Sequence, residues 1–369
     1  MHQILALLLS VLTIPTLALA TPSSSIRIAS YNLENLFDSE HDAGKQDWEY
    51  LPTTNPEKSP GCRSLAPARV APCLNTNWTR AHVNLKLDQM SKSILSQGAL
   101  PDLLAVQEVE NISVLRDLAN KVGFQNVVLE EGEDERGIDV GLMYNTYKVE
   151  LVDFTSNRIQ IPSNQTRDIL AVRFRRKMSA NPQEVLAVYI NHWPSQNNPS
   201  QDRVITAEKL QEIIRQDRAR YGAENLLVVA VGDFNTVDSD SPHPFQNVTT
   251  NPTDPDSLVD ARTEFTRLFP SEASLLPRGT YFFPPRMAWQ EFDHFFLSRN
   301  LLDQNSNMVD LKTFRIHNSP LVSTTINHAT GPNDGSNVTG VPKKYNSQTL
   351  NPAEAGYSDH FSVSLEIKN

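Results

Sequence analysis

Apolar and polar positions along the chain change period several times, and each change marks an element. IRIASYNLENLF (26–37) begins as an alternating strand and ends in polar residues. PDLLAVQEVEN (101–111) reads as a buried strand that stops at Gln107 and Glu108. GIDVGLMYN (137–145) is a strand entered from the charged run Glu133-Asp134-Glu135-Arg136. DILAVRFRRK (168–177), EVLAVYINHW (184–193), LLVVAVGDFN (from Leu226), EFDHFFLS (291–298) and HFSVSLEI (360–367) are further strands. Helical spacing recurs between them. Val83, Leu87, Met90 and Ile94 share one face of 81–97, residues 112–122 suit a short helix, and Ala207, Leu210 and Ile214 share one face of 201–220. Residues 38–80, polar and Pro-containing, read as a long surface insertion. Residues 318–357, rich in Asn, Ser, Thr, Pro and Gly without periodicity, read as a long loop.

Fully apolar strands coexist with alternating ones such as FSVSLEI, and helices lie between them. This predicts an α/β chain with sheets packed together and helices outside. No linker divides it, so 21–369 is expected to form a single domain. The first 20 residues, MHQILALLLSVLTIPTLALA, have a short apolar run and a small-x-small ending at Ala18-Leu19-Ala20. They read as a secretory signal peptide, although the leading segment carries no Lys or Arg. No 18-residue apolar span follows, so no transmembrane segment is expected. In an exported chain the two cysteines, Cys62 and Cys73 in a Pro-rich loop, are expected to pair. Five Asn-x-Ser/Thr sequons, at Asn77, Asn111, Asn164, Asn247 and Asn337, matter only in a host that glycosylates exports. A formal net charge of −10 excludes a tight electrostatic nucleic-acid binder. It is compatible with transient turnover of a phosphate substrate if a bound cation supplies positive charge.

The strand ends carry the chemistry. AVGDFNT (230–236) closes an apolar strand by presenting Asp233 and Asn235, which fall on one side if the strand continues. A single such ending is a turn cap. The same pattern recurs at Asn32 and Glu34, Glu108, Asp139, Asn191 and His192, Asp293, and Asp359 with His360. Turn formation does not require that set. Carboxylates with Asn carbonyls make an oxygen-rich site suited to Mg²⁺, Mn²⁺ or Ca²⁺. Histidines with carboxylate partners are oriented acid–base groups of raised pKa. Together they suit hydrolysis of a phosphate ester. No P-loop, GxSxG or HExxH competes.

The ordered motifs YNLEN, QEVEN, RGIDVGLMYN, NHWPS, GDFN, FDHFFLS and SDH resemble the endonuclease/exonuclease/phosphatase superfamily from about Ile26 to Leu365. Its members include pancreatic-type deoxyribonuclease, apurinic endonucleases, neutral sphingomyelinases and inositol-phosphate 5-phosphatases. The resemblance implies a four-layer αββα sandwich: two mostly antiparallel sheets face to face, helices outside, active site at one edge. It implies Glu108 as main metal ligand, with Asn32, Glu34 and Asp359 near a Mg²⁺ (or Mn²⁺ or Ca²⁺). It pairs His360 with Asp293 and His192 with Asp139, gives Asp233 the attacking water, and puts Asn235 on a phosphate oxygen. NHWPS after RGIDVG, with TRDIL between, further resembles secreted bacterial nucleases.

The expected enzyme is therefore a secreted, monomeric, metal-dependent phosphodiesterase: a nuclease acting on DNA or RNA without reading sequence. Arg136, Arg167, Asn191 and Trp193 are expected substrate contacts, with Trp193 equally suited to packing. Arg175 to Lys177 read as a solvated strand end. A sphingomyelinase-like lipid phosphodiesterase would need an apolar loop, for which TYFFPPRMAW (280–289) is the candidate, although its position before FDHFF favours a packed role. An inositol-phosphate phosphatase is the third reading. AWQEF lacks the Cys-Asp-Arg element associated with that branch.

Overall fold

The computed structural model describes residues 25–163, 165–302, 308–327 and 337–368. The expected signal peptide and Asn164 lie outside the described residues. Sixteen strands are described: β1 Ser25–Leu36, β2 Leu103–Val109, β3 Asn126–Val128, β4 Asp139–Tyr144, β5 Val149–Asn157, β6 Ile169–Arg176, β7 Val185–His192, β8 Leu226–Asp233, β9 Val259–Asp260, β10 Tyr281–Phe283, β11 Ala288–Gln290, β12 Asp293–Leu297, β13 Val309–His317, β14 Ser323–Ile326, β15 Val338–Pro342 and β16 Ser362–Lys368. Twelve of them form two six-stranded sheets, ordered β13-β16-β1-β2-β4-β3 and β5-β6-β7-β8-β12-β9. Each sheet is antiparallel except for one central parallel pair, β1 with β2 and β7 with β8. The sheets face one another through these central strands, with helices outside. This is the expected αββα sandwich.

Period-two alternation explains the layers. Along β7, Leu186, Val188 and Ile190 enter the core between the sheets, while Ala187, Tyr189 and the following Trp193 enter a second core beneath a helix. Along β8, Leu227, Val229 and Val231 face inward, while Val228, Ala230 and Phe234 face that helix. The helix is the fifth in the chain. The first five are α1 Lys58–Ser64, α2 Pro67–Asn75, α3 Arg80–Leu95, α4 Ile112–Val122 and α5 Ser200–Tyr221. The predicted stripes hold: Val83, Leu87, Met90 and Ile94 on α3 are buried, as are Ala207, Leu210 and Ile214 on α5. At the head of α4, Asn111 accepts from the N–H groups of Ser113 and Val114, and Gly123 (φ +94°) ends the helix in the left-handed region.

Three sequence expectations need correction. The insertion 38–80 is not all loop, because α1 and α2 lie in it. Cys62 on α1 and Cys73 on α2 form the expected disulfide, so it joins two short helices within a loop. Pro67 at the first turn of α2 leaves no donor wasted there. The segment 318–357 carries the β14–β15 hairpin, whose strands are too short for periodicity to register. Strands β5 and β13 escaped notice because Asp153, Asn157, Asp310 and Lys312 interrupt their apolar pattern.

Candidate active site

Both parallel pairs end at the same edge of the sandwich, and the polar strand ends meet there. On β8, alternation carries Asp233 onto the inward face after Val231. On β7 it carries His192 inward after Ile190. Asp293 opens β12 directly opposite Asp233 in the ladder. The backbone at this edge is unusual. Five non-glycine residues among those described have positive φ, and four of them belong to the site: Glu34 (+49°), Asn35 (+58°), Glu108 (+59°) and Asn235 (+47°). Such residues cost about 1–3 kcal/mol each unless the surroundings hold them. The twist matters most at Glu108. Asn32 aligns with Gln107 across the parallel ladder, so alternation alone would turn Glu108 to the opposite face. The left-handed turn and a register shift between Gln107 and Val109 bring its carboxylate back beside Asn32.

The Asp233 carboxylate is the hub. Its Oδ2 accepts from the Asn32 amide at 3.1 Å and lies 3.7 Å from both His192 Nε2 and His360 Nε2. Asn32 Nδ2 also reaches Glu108 Oε1 at 3.4 Å, and His192 Nε2 stands 3.8 Å from that oxygen. The Asn35 N–H donates to Glu108 Oε2 at 2.9 Å. Burial lifts the Asp233 carboxyl to about 7 against the pull of His360, with Asp293 and Glu108 adding repulsion. Burial alone would lower His360, but Asp293 and Asp233 outweigh it and hold the imidazole well above its ordinary range. His360 Nδ1 lies 2.8 Å from Asp293 Oδ2, the pairing expected from sequence.

The second pairing is not made. His192 Nδ1 is buried without a hydrogen-bond partner, and so is Asp139 Oδ2. Asp139 accepts instead from the Gly132 N–H at 2.8 Å. With no carboxylate on its Nδ1, His192 is pushed well below its ordinary pKa by burial, then by Arg167, Arg136 and His360. Two expected substrate contacts are also structural. Trp193 is fully buried on the helix face, edge-on to Phe234, and its indole N–H donates to Asn191 Oδ1 at 3.0 Å. Asn191 spends its amide on the carbonyls of Tyr189 and Val231. Alternation sends both away from the side that His192 faces. Asn235 also departs from the expected geometry. The strand stops at Asp233, and Asn235 joins it through an Asx-type turn, its N–H donating to Asp233 Oδ1 at 2.9 Å. Gly232 (φ +134°) is required just before, since a Cβ would fall 2.0 Å from the Asn191 carbonyl oxygen.

A cavity of about 690 Å³ opens over these groups, lined by Glu108, Arg136, Arg167, His192, Asn235 and His360 among others. Arg136 is half-exposed, while Arg167 is buried with one guanidinium nitrogen on Asp134 and another on the Trp193 carbonyl. Sequence reading missed two residues. The Tyr281 ring lies 4.9 Å from that of His360. Lys344 Nζ lies 3.3 Å from Glu34 and 3.6 Å from Asp359. Tyr281 was legible only as part of an aromatic hairpin. Lys344 sits in the aperiodic 318–357 segment and gave no signal.

A model of the Endonuclease/Exonuclease/phosphatase family matches residues 66–369. The chain belongs to that family. Its members are hydrolases of phosphoester bonds. The chain is similar in structure to a D. rerio TDP2 humanized by 14 mutations (TM-score 0.52, 17% identity, covering 94% of this chain and 100% of that one). It is also similar to D. rerio TDP2 complexed with single strand DNA product (0.52, 16%, 94% and 100%). A third similar structure is the human Nocturnin catalytic domain with bound sulfate anion (0.50, 14%, 94% and 94%). At these identities the likeness speaks to the fold. No curated protein matches the sequence significantly.

Enzymes of this family generally use divalent metals. The donors present here are of the chemical kind such an ion takes, but their side chains are not gathered into a metal site. Glu108, Glu34 and Asp359 offer oxygen donors, the type a hard cation takes, while Asn32 turns its amide nitrogen to Glu108 and Asp233. Burial and then repulsion from Asp359 raise the Glu34 carboxyl to about 8, with Lys86 and Lys344 opposing. The Lys344 ammonium now stands between Glu34 and Asp359. Among the described residues, no group of three or more His, Cys, Asp or Glu side chains is placed so as to hold a metal ion.

Proposed function

We propose that the protein is a secreted, monomeric, divalent-metal-dependent nuclease that hydrolyses phosphodiesters in DNA or RNA without reading sequence. The observation that carries this reading is the Asp233 carboxylate, 3.7 Å from two imidazoles at the floor of a cavity bordered by arginines. A divalent ion on Glu108, with Glu34, Asp359 and Asn32 nearby, would offset charge on the phosphoryl and leaving oxygens. The chain's own residues supply the rest. Asp233, with a carboxyl lifted toward neutrality, is matched to accept a proton from the attacking water. His360, held cationic by Asp293, donates its Nε2–H to a phosphate oxygen or to the leaving group. His192, neutral, offers Nε2 beside Glu108 and Asp233. Arg136 and Arg167 favour a polyanionic substrate despite the acidic chain.

A nucleic-acid substrate gains support from the similar D. rerio TDP2 structure with its single strand DNA product. A lipid substrate loses support from the aromatic hairpin. Phe282 is buried, and the Tyr281 and Trp289 rings pack near His360 and Phe361. The test is turnover of plasmid DNA, RNA, sphingomyelin and inositol phosphates, each with Mg²⁺, Mn²⁺, Ca²⁺ or EDTA. Metal-dependent nucleic-acid cleavage is expected. Turnover of lipid or inositol phosphate alone would overturn the reading.

A further inference from the structure

Enzymes of the family generally use divalent metals, yet the acidic edge of this site already holds a cation of its own. Lys344 Nζ lies 3.3 Å from Glu34 Oε1 and 3.6 Å from Asp359 Oδ2. The neighbouring oxygens have donors from the chain. Glu34 Oε2 accepts from the Tyr345 N–H at 2.8 Å, Glu108 Oε2 from the Asn35 N–H at 2.9 Å, and Asn32 Oδ1 from the Glu34 N–H at 2.9 Å. The carboxylates are thus satisfied by an ammonium and by backbone donors, and their side chains are not gathered around a common point.

The backbone beneath this lysine is anchored. Tyr345 is buried, the Lys343 N–H donates to the Val322 carbonyl at 2.8 Å, and the Lys343 carbonyl accepts from the Tyr357 N–H at 2.7 Å. Gly356 (φ +71°) passes so close that a Cβ there would fall 2.0 Å from the Lys344 carbonyl oxygen. The side chain is held far less: that of Lys344 is 68% exposed, against 7% for Glu34. A long, solvated cationic arm can leave its carboxylates at little cost, because water takes over the ammonium. The buried Glu34 pays more for losing its cation, and Asp359 leans on the same ammonium. We propose that Lys344 is a resident competitor of the divalent ion: its ammonium and the metal are mutually exclusive partners of Glu34 and Asp359, and metal binds when the lysine has swung out to solvent. Resting on the metal-dependent reading above, this makes Lys344 the residue that sets the strength of metal binding.

The test is metal binding without substrate. Mn²⁺ is titrated into the metal-free protein, and the free ion is followed by electron paramagnetic resonance. Lys344→Met, which removes the charge and keeps most of the length, should bind Mn²⁺ at least about tenfold more tightly than wild type. Lys344→Arg restores a permanent cation and should stay closer to wild type than to Lys344→Met. Lys343→Met removes the neighbouring ammonium, which lies on the Ala353 carbonyl, and should match wild type. Without metal, Lys344→Met should melt below wild type, and Mn²⁺ should raise its midpoint by more. Equal Mn²⁺ affinity in wild type and Lys344→Met would overturn the competition. So would a gain from Lys343→Met as large as that from Lys344→Met. A protein that cleaves nucleic acid yet shows equal affinities would keep the nuclease reading and lose the competition.

Discussion

The two histidines of the site stand at equal distances from Asp233 and differ in what lies behind them. His360 has Asp293 on its Nδ1 and is held cationic. His192 has nothing on its Nδ1 and is held neutral. The difference comes from the sheet. Asp293 opens a strand that pairs with β8, so the ladder sets it beside Asp233 and within reach of His360. Asp139 opens β4 in the other sheet; its Oδ1 accepts from the Gly132 N–H, and its Oδ2, like His192 Nδ1, is buried without a partner. Environment, not residue type, therefore divides the roles between two imidazoles. His294 makes a third case. It sits on the outer face of β12, with Nδ1 on Asp260 and Nε2 at the Glu291 carbonyl. Burial lowers its pKa, but Asp260 and Glu291 raise it further, to about 9.

Variants can break this comparison. The largest loss is expected for His360→Ala and Asp293→Asn, each about 10²–10⁴-fold in kcat with the fold intact by circular dichroism. Asp293→Asn should also move the alkaline limb of kcat/KM to lower pH, because His360 then loses its proton more readily. An unmoved limb would mean that His360 does not act as a cation. His192→Ala should cost about 10²-fold or more, whereas Asp139→Asn should cost less than about tenfold. If Asp139→Asn matches Asp293→Asn in a side-by-side assay, the second pair closes once substrate binds.

Smaller effects concern stability. The folded pKa of His294 lies above its unfolded value of about 6.5, so its contribution is complete below pH 6.5 and fades as pH rises through about 9. Wild type should lose stability to urea over that window, by up to a few kcal/mol, and His294→Gln should not. Its kcat should stay near normal. Breaking the disulfide with Cys62→Ser and Cys73→Ser should cost about 2–3 kcal/mol and leave kcat unchanged. A large kcat loss would couple that insertion to the site.

Most of the site was legible because its residues end strongly apolar strands: Asp233 after Val231, His192 after Ile190, Asp293 before Phe295. Trp193 and Asn191 looked like site residues for the same reason. Adjacency to His192 in sequence is opposition across the strand in space. Lys344 and Tyr281 were not legible as site residues, since neither lies on a long periodic element.

By itself the sequence determined the long core strands and the helices α3, α4 and α5, because burial on one face or two imprints period two, period 3.6 or an unbroken apolar run. It also determined which chemical groups were available. Tertiary structure decided their arrangement. Parallel pairing of β1 with β2 and β7 with β8 brought distant strand ends to one edge. A left-handed turn no propensity favours aimed Glu108 back at Asn32. Asp139, on the other sheet, makes no bond to His192 Nδ1, which therefore lacks the carboxylate that His360 keeps. These outcomes depend on registers and partners from remote parts of the chain, and local pattern carries no record of them.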